Sequence, residues 1–162
     1  MHSEFHVHEL EPVFDENSRI LILGSFPSRK SREDGFYYAH PQNRFWKIMA
    51  ALFDTEITDR RQFCLDHGIA LWDVIASCTV TGSSDASIKD IEVNPIGSLL
   101  SASKIHTVFT TGGRADALYR KYIDLPAEHI ALPSTSAANA AMSLEKLTAV
   151  YAVILEKLNE KD

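Results

Sequence analysis

Arg19-Ile20-Leu21-Ile22-Leu23-Gly24 is an unbroken apolar run closed by a glycine. A strand with one wet face would alternate polar and apolar residues. A run apolar at every position suits a strand covered on both faces, as in a parallel sheet. Working outward, Phe45, Trp46, Met49, Ala50 and Phe53 recur at three- and four-residue spacing, which predicts an amphipathic helix from Asn43 to Phe53. It follows a long loop, Ser25 to Gln42. Ile69 to Ala76 reads as a second buried strand, preceded by a short helix around Asp59 to Asp66 and a turn at His67-Gly68. Ile105 to Thr111 and His129 to Leu132 read as two more strands. A helix follows Gly112-Gly113 and runs to about Ile123. The last helix is capped by Ser143 and presents Leu144, Leu147, Val150, Ile154 and Leu158 on one face. Strands alternating with helices imply right-handed crossovers. The expected fold is therefore α/β: a three-layer α/β/α architecture with a central, mainly parallel, roughly four-stranded sheet. In such sheets ligands bind beyond the carboxyl ends of the strands, which singles out the loops 25–42, 77–88, 112–113 and 133–139.

The chain has 162 residues, which fits one domain spanning 1–162, with 1–17 as an N-terminal extension. Cys64 and Cys78 are its only cysteines, too few for a disulfide framework or a four-thiolate cluster, so a reducing, cytoplasmic setting is expected. Residues 1–11 lack a signal-peptide core, and no apolar run is long enough to span a bilayer. The net charge of −6 excludes binding to nucleic acid by bulk electrostatics, so any DNA surface is local. The densest basic stretch is Arg29, Lys30 and Arg32, followed by Arg44 and Lys47. His2, His6 and His8 have the spacing of a metal tract, but in a terminus read as frayed they are assigned no metal. No cofactor is expected, and the chain is read as a monomer.

The richest loop is Gly24-Ser25-Phe26-Pro27-Ser28, continued by Gly35-Phe36-Tyr37-Tyr38-Ala39-His40-Pro41-Gln42-Asn43-Arg44-Phe45-Trp46. Three consecutive aromatics at the mouth of a sheet either close the core under a long loop or receive a planar guest. Stacking a nucleobase on an aromatic face contributes roughly 1–3 kcal/mol. Asn43 either caps the following helix or uses its amide on a ligand. Asp73 is read as a strand-end residue or a general base. Ser134 and Ser136 are read as turn residues or phosphate contacts. Gly112-Gly113-Arg114 is not a dinucleotide fingerprint, because G-x-G-x-x-G is absent, and there is no G-x-S-x-G elbow for a serine hydrolase.

Gly35 to Trp46 resembles, nearly residue for residue, a stretch of the uracil-DNA glycosylase superfamily, most of all its hypoxanthine-DNA (deoxyinosine) glycosylase branch. Ala70-Leu71-Trp72-Asp73-Val74-Ile75, Gly82-Ser83-Ser84-Asp85-Ala86-Ser87-Ile88 and Leu132-Pro133-Ser134-Thr135-Ser136-Ala137-Ala138-Asn139 are similar to the same branch, so the resemblance covers residues 18–158. It implies a monofunctional glycosylase that flips a deaminated base, hypoxanthine above all, out of double-stranded DNA and leaves an abasic site. It places Tyr38 against the extruded base and Asn43 at the chemistry. It also places residues 133–137 as a loop pressed into the minor groove, with Ser134, Thr135 and Ser136 at flanking phosphates. Backbone amides of Ser25 and Phe26 would meet the keto oxygen of the base. Asp85 would read the base, and Arg44 and Lys30 would contact DNA.

Two departures bear on the chemistry. Where uracil-specific relatives carry Asp or Asn in the first motif this chain has Phe26, and where the second motif often begins with His it has Leu132. A purine, whose departure is helped by a hydrogen-bond donor or a proton at a ring nitrogen, fits these losses better than uracil. A mismatch-type uracil/thymine glycosylase, or a non-catalytic lesion-DNA or nucleotide-binding module, are the alternatives. The pocket loops offer no lysine for a Schiff base.

Overall fold

The computed structural model describes residues 3–81 and 88–160. In chain order the strands are β1 (Ser3–Val7), β2 (Ile20–Gly24), β3 (Ile69–Asp73), β4 (Ile75–Thr81), β5 (Lys89–Val93), β6 (Thr107–Thr111) and β7 (Glu128–Leu132). The helices are α1 (Arg29–Asp34), α2 (Phe45–Phe53), α3 (Arg60–His67), α4 (Ile96–Ser101), α5 (Gly113–Tyr122), α6 (Leu144–Tyr151) and α7 (Val153–Leu158). The apolar run read as the first sheet strand is β2, and all five of its residues are buried. It lies inside a four-stranded sheet of order β3-β2-β6-β7 in which every pairing is parallel. With strands on both sides and helices over the sheet, no position of β2 meets water, which is why its sequence does not alternate. Helices α3, α5 and α7 pack on β3, β6 and β2, and α2 packs on α6. The central parallel sheet flanked by helices is the architecture expected from the sequence.

The N-terminus and the second strand depart from expectation. Residues 69–76 do not form one strand: β3 ends at Asp73, and after Val74 the chain leaves for a second sheet, antiparallel, of order β1-β4-β5. Asn94 fastens the change of direction, its Nδ2 donating to the carbonyls of Asp73 (2.9 Å) and Ile75 (3.2 Å). The terminus is not frayed over its described part. β1 pairs with β4 from Ser3↔Thr81 to Val7↔Ser77, and Val13 exchanges backbone hydrogen bonds of 2.9 Å with Leu71 in both directions. These contacts join residues far apart in sequence, so local periodicity carries no trace of them. The last helix is capped as expected, Ser143 accepting from the Lys146 N–H, but it divides at Ala152 into α6 and α7. Among the described residues no helix is long and apolar enough to cross a membrane.

The core gathers around β2 and β6, where Ile20, Leu21, Ile22, Leu23, Val108 and Phe109 are all fully buried. Deleting methylenes there loses transfer free energy and leaves a cavity that close-packed neighbours fill only in part. Ile22→Ala should cost about 2–5 kcal/mol in urea denaturation, with the native circular dichroism spectrum unchanged.

Candidate active site

β2, β3 and β6 end at Gly24, Asp73 and Thr111, and all three residues line one cleft of about 1070 Å³. Its other walls come from the loop after β2 and from residues 134–137 after β7. That volume is at the upper end of the range for small-molecule sites, about 300–1,000 Å³. Gly24 faces Asp73 across the β2–β3 register. A Cβ built on Gly24 would lie 2.5 Å from Asp73 Oδ1, so only glycine allows this carboxyl its place.

The three consecutive aromatics divide. Phe36 stacks on Trp46 away from the cleft, and Tyr37, only 3% exposed, touches the cleft wall but turns its hydroxyl inward to the carbonyl of Glu11 (2.8 Å). Tyr38 borders the cleft. Its ring stacks on Phe45 with centroids 4.0 Å apart, and its hydroxyl lies 3.2 Å from Thr111 Oγ1. Tyr38 has φ of 54°, a conformation costly for a side-chain-bearing residue, and the stack and the hydroxyl contact hold it there. Burial, with the charge of Asp73 adding to it, pushes the Tyr38 phenol well above its ordinary range, so it stays a neutral hydrogen-bonding group.

Asn43 lines the cleft and performs the capping role as well. Its Oδ1 accepts from the Phe45 N–H (2.9 Å), which starts α2, and from Thr135 Oγ1 (2.8 Å), which ties the helix to the loop after β7. The Nδ2 donors of Asn43 have no hydrogen-bond partner among the described residues. Arg44 does not point outward. Its guanidinium donates to the carbonyls of Ser136 (2.7 Å), Asn139 (3.0 Å) and Met142, and at 3.4 Å to that of Thr135. It is therefore a brace for the 133–142 loop, with four of its five N–H donors turned to backbone carbonyls.

Ser134, Thr135 and Ser136 all line the cleft, in turns that their own side chains close. Ser134 Oγ accepts from the Ser136 N–H (3.1 Å), and Ser136 Oγ accepts from the Ala138 N–H (3.2 Å). Ser25 and Phe26 also line it, and their backbone N–H groups find no acceptor among the described residues. Lys30 lies away from the cleft, ion-paired with Asp34 at 3.2 Å, while its neighbours Arg29 and Arg32 line it. His40 accepts from the Gln42 N–H (3.0 Å), bonding its loop to itself. Asp85 lies outside the described residues.

One pair at the cleft was not anticipated. His8, the residue after β1, places Nε2 2.9 Å from Asp73 Oδ2, and the two side chains are 2% and 6% exposed. Asp73 lines the cleft, with His8 behind it. Burial pushes the Asp73 carboxyl above the usual carboxylate range, while the bond and charge of His8, and then the Gly24 N–H, pull it down. The sequence signal for Asp73 was its position as the last residue of a buried parallel strand. No local signal marked His8, because the contact spans 65 residues.

The family model of the uracil DNA glycosylase superfamily matches residues 11–159. The chain belongs to this superfamily. It is 34% identical over 137 residues to a hypoxanthine DNA glycosylase of Methanosarcina acetivorans, covering 81% of this chain and 87% of that one. It is 38% identical over 88 residues to a hypoxanthine DNA glycosylase of Methanosarcina barkeri, covering 51% and 56%. The solution NMR structure of a uracil DNA glycosylase candidate from Methanosarcina acetivorans superposes with a TM-score of 0.72 at 30% identity, covering 90% of this chain and 96% of that one.

Within this glycosylase the Arg44 brace sets the shape of one cleft wall. Lysine carries one compact ammonium and cannot reach several carbonyls at once. Arg44→Lys should cost about 1–3 kcal/mol and speed amide hydrogen exchange in residues 134–142 relative to β2 and β6, as read by mass spectrometry.

Proposed function

We propose that this glycosylase is monofunctional and hydrolyses the N-glycosidic bond of deoxyinosine in duplex DNA, drawing hypoxanthine out of the stack into the cleft. The observation that carries the reading is the meeting in one cleft of the Tyr38 ring, the Asn43 Nδ2, and the N–H groups of Ser25 and Phe26, none of these donors partnered among the described residues. These are the contacts a planar base with a keto oxygen needs. The hypoxanthine DNA glycosylase relatives support the choice of base. One face of Tyr38 is taken by Phe45, and an everted base meets its ring from the cleft side. The Ser25 and Phe26 amides receive the keto oxygen, where negative charge grows as the bond breaks. Asn43 Nδ2 orients water or holds a base edge.

In the reaction the bond from C1′ to the base nitrogen breaks and its electron pair leaves with the base. Water then adds to the oxocarbenium-like sugar, and the proton it loses is balanced by the one the departed base takes up, leaving an abasic site and neutral hypoxanthine. No lysine lines the cleft among the described residues, which supports hydrolysis without a Schiff base and without strand cleavage. Arg29 and Arg32 place positive charge beside the cleft, and Ser134 and Ser136 meet the flanking phosphates through their hydroxyls, while the buried Thr135 gives its hydroxyl to Asn43 and holds the loop. Arg44 serves this surface from behind by fixing the loop, and Lys30 lies in the same basic stretch. The working form is a monomer in the cytoplasm, acting on duplexes that carry deaminated bases.

Incubating the protein with a deoxyinosine duplex should release free hypoxanthine, detected by chromatography, and give a strand break only after alkali. Binding to the duplex without release of any base over hours would leave the non-catalytic alternative. Faster single-turnover release from uracil mismatches would leave the uracil alternative. Asn43→Asp keeps the Oδ1 that caps α2 and holds Thr135 but removes the Nδ2 donors. It should lower the single-turnover rate about 10²–10³-fold while the thermal midpoint stays near that of the parent.

A further inference from the structure

The pair formed by His8 and Asp73 is built as a site and is not absorbed by the roles above. Both side chains are almost wholly buried, they lie 2.9 Å apart, and Asp73 is exposed only toward the cleft it lines. The family match begins at residue 11, so His8 and β1 lie outside it. β1 is nevertheless fixed by its ladder with β4, and the His8 N–H donates to the Ala76 carbonyl at 2.7 Å. The imidazole is wedged between rings, its centroid 5.9 Å from Phe26 and 6.2 Å from Tyr37.

We propose that His8 is a positioning and specificity-determining residue: it gives its Nε2–H to Asp73 Oδ2 and so keeps this carboxyl an acceptor for the ring N–H of the everted base. The inference rests on the reading of the cleft as a hypoxanthine site, and it predicts that adenine is rejected. Hypoxanthine carries a ring N–H beside its keto oxygen. Adenine carries, at the corresponding places, a ring nitrogen lone pair and an amino group. A carboxylate beside the Ser25 and Phe26 amides matches the first edge, acceptor to donor and donor to acceptor. It opposes the second at both points, and buried mismatched polar groups discriminate more strongly than differences in size.

A carboxyl so buried drifts toward its protonated form unless something holds its charge, and His8 opposes that drift. The other groups facing Asp73 are the Gly24 N–H and the Tyr37 and Tyr38 phenols, both kept neutral by burial and by Asp73 itself. The charged groups nearby act at one remove: Arg32 of α1 bonds His6 Nδ1 at 3.0 Å, the Glu4 carboxyl of β1 lies 3.5 Å from His6, and Arg61 of α3 acts on Tyr37. Protonating Asp73 would turn its acceptor into a donor. Activity therefore falls as pH drops through the Asp73 titration, and losing His8 moves that acid limb to higher pH.

The test is the pH dependence of single-turnover hypoxanthine release, from about pH 5 to about 9, for the wild type, His8→Leu and His8→Gln. Glutamine keeps an N–H donor and leucine does not. In His8→Leu the acid limb should rise by about one pH unit or more, with release recovering at alkaline pH, while His8→Gln should return the limb toward the wild-type position. Thermal unfolding checks that each variant folds. An unchanged limb in folded His8→Leu, or an equal loss at every pH, overturns the inference and leaves the hypoxanthine reading intact. If His8→Leu does not fold, His8→Met, also without a donor, takes its place with the same two outcomes. Wild-type protein that leaves deoxyinosine uncut removes the hypoxanthine reading itself, whatever the variants do.

Discussion

The missing side chain at Gly24 sets the spacing at the mouth of the sheet. Asp73 Oδ1 occupies the volume a Cβ would take, so the carboxyl sits against the β2 backbone and is shielded from solvent on that side. From this one close approach follow the depth of the cleft and the need for His8. The neutrality of Tyr37 and Tyr38 also follows, since each feels the charge of Asp73 in addition to its own burial. A buried carboxylate is costly unless it is paired and hydrogen-bonded. The antiparallel sheet supplies the partner.

Charge is arranged around the cleft, whereas the chain as a whole is acidic. With a net charge of −6 the protein gains no general attraction to DNA. Arg29 and Arg32 line the cleft, while Arg44 spends its donors on backbone carbonyls of the opposite wall. The guanidinium fork is suited to this, because it holds several acceptors in one plane with little rotamer freedom left to lose. The loop it braces is closed further by its own side chains, the Ser136 and Ala138 N–H groups donating to the Ser134 and Ser136 hydroxyls.

The parallel sheet was legible because its signal is local: β2 is apolar throughout, and glycine marks its exit. Asn43 was legible as the start of a helix beside the cleft: its Oδ1 accepts from the first turn of α2, and the residue lines the cleft. The bracing role of Arg44 was not legible, because a basic residue beside a loop reads the same whether its guanidinium turns out toward phosphate or in toward carbonyls. The three consecutive aromatics gave no indication of which would face the cleft; their division depends on Trp46, Phe45 and Glu11, each placed by tertiary structure. His8 and β1 were illegible for the same reason. Their partners lie on β3 and β4, and no periodicity in the first seventeen residues records that.

The ladder joining β1 to β4 also orders events in time. A terminus synthesised first can close onto its partner only after β3 and β4 have been made, and the long intervening chain imposes a loop-closure entropy that is met late in folding. The polypeptide can thus assemble its apolar centre around β2 and β6 before the imidazole reaches its carboxylate. Competence at the mouth of the sheet then arrives last, as a seal on a body already folded.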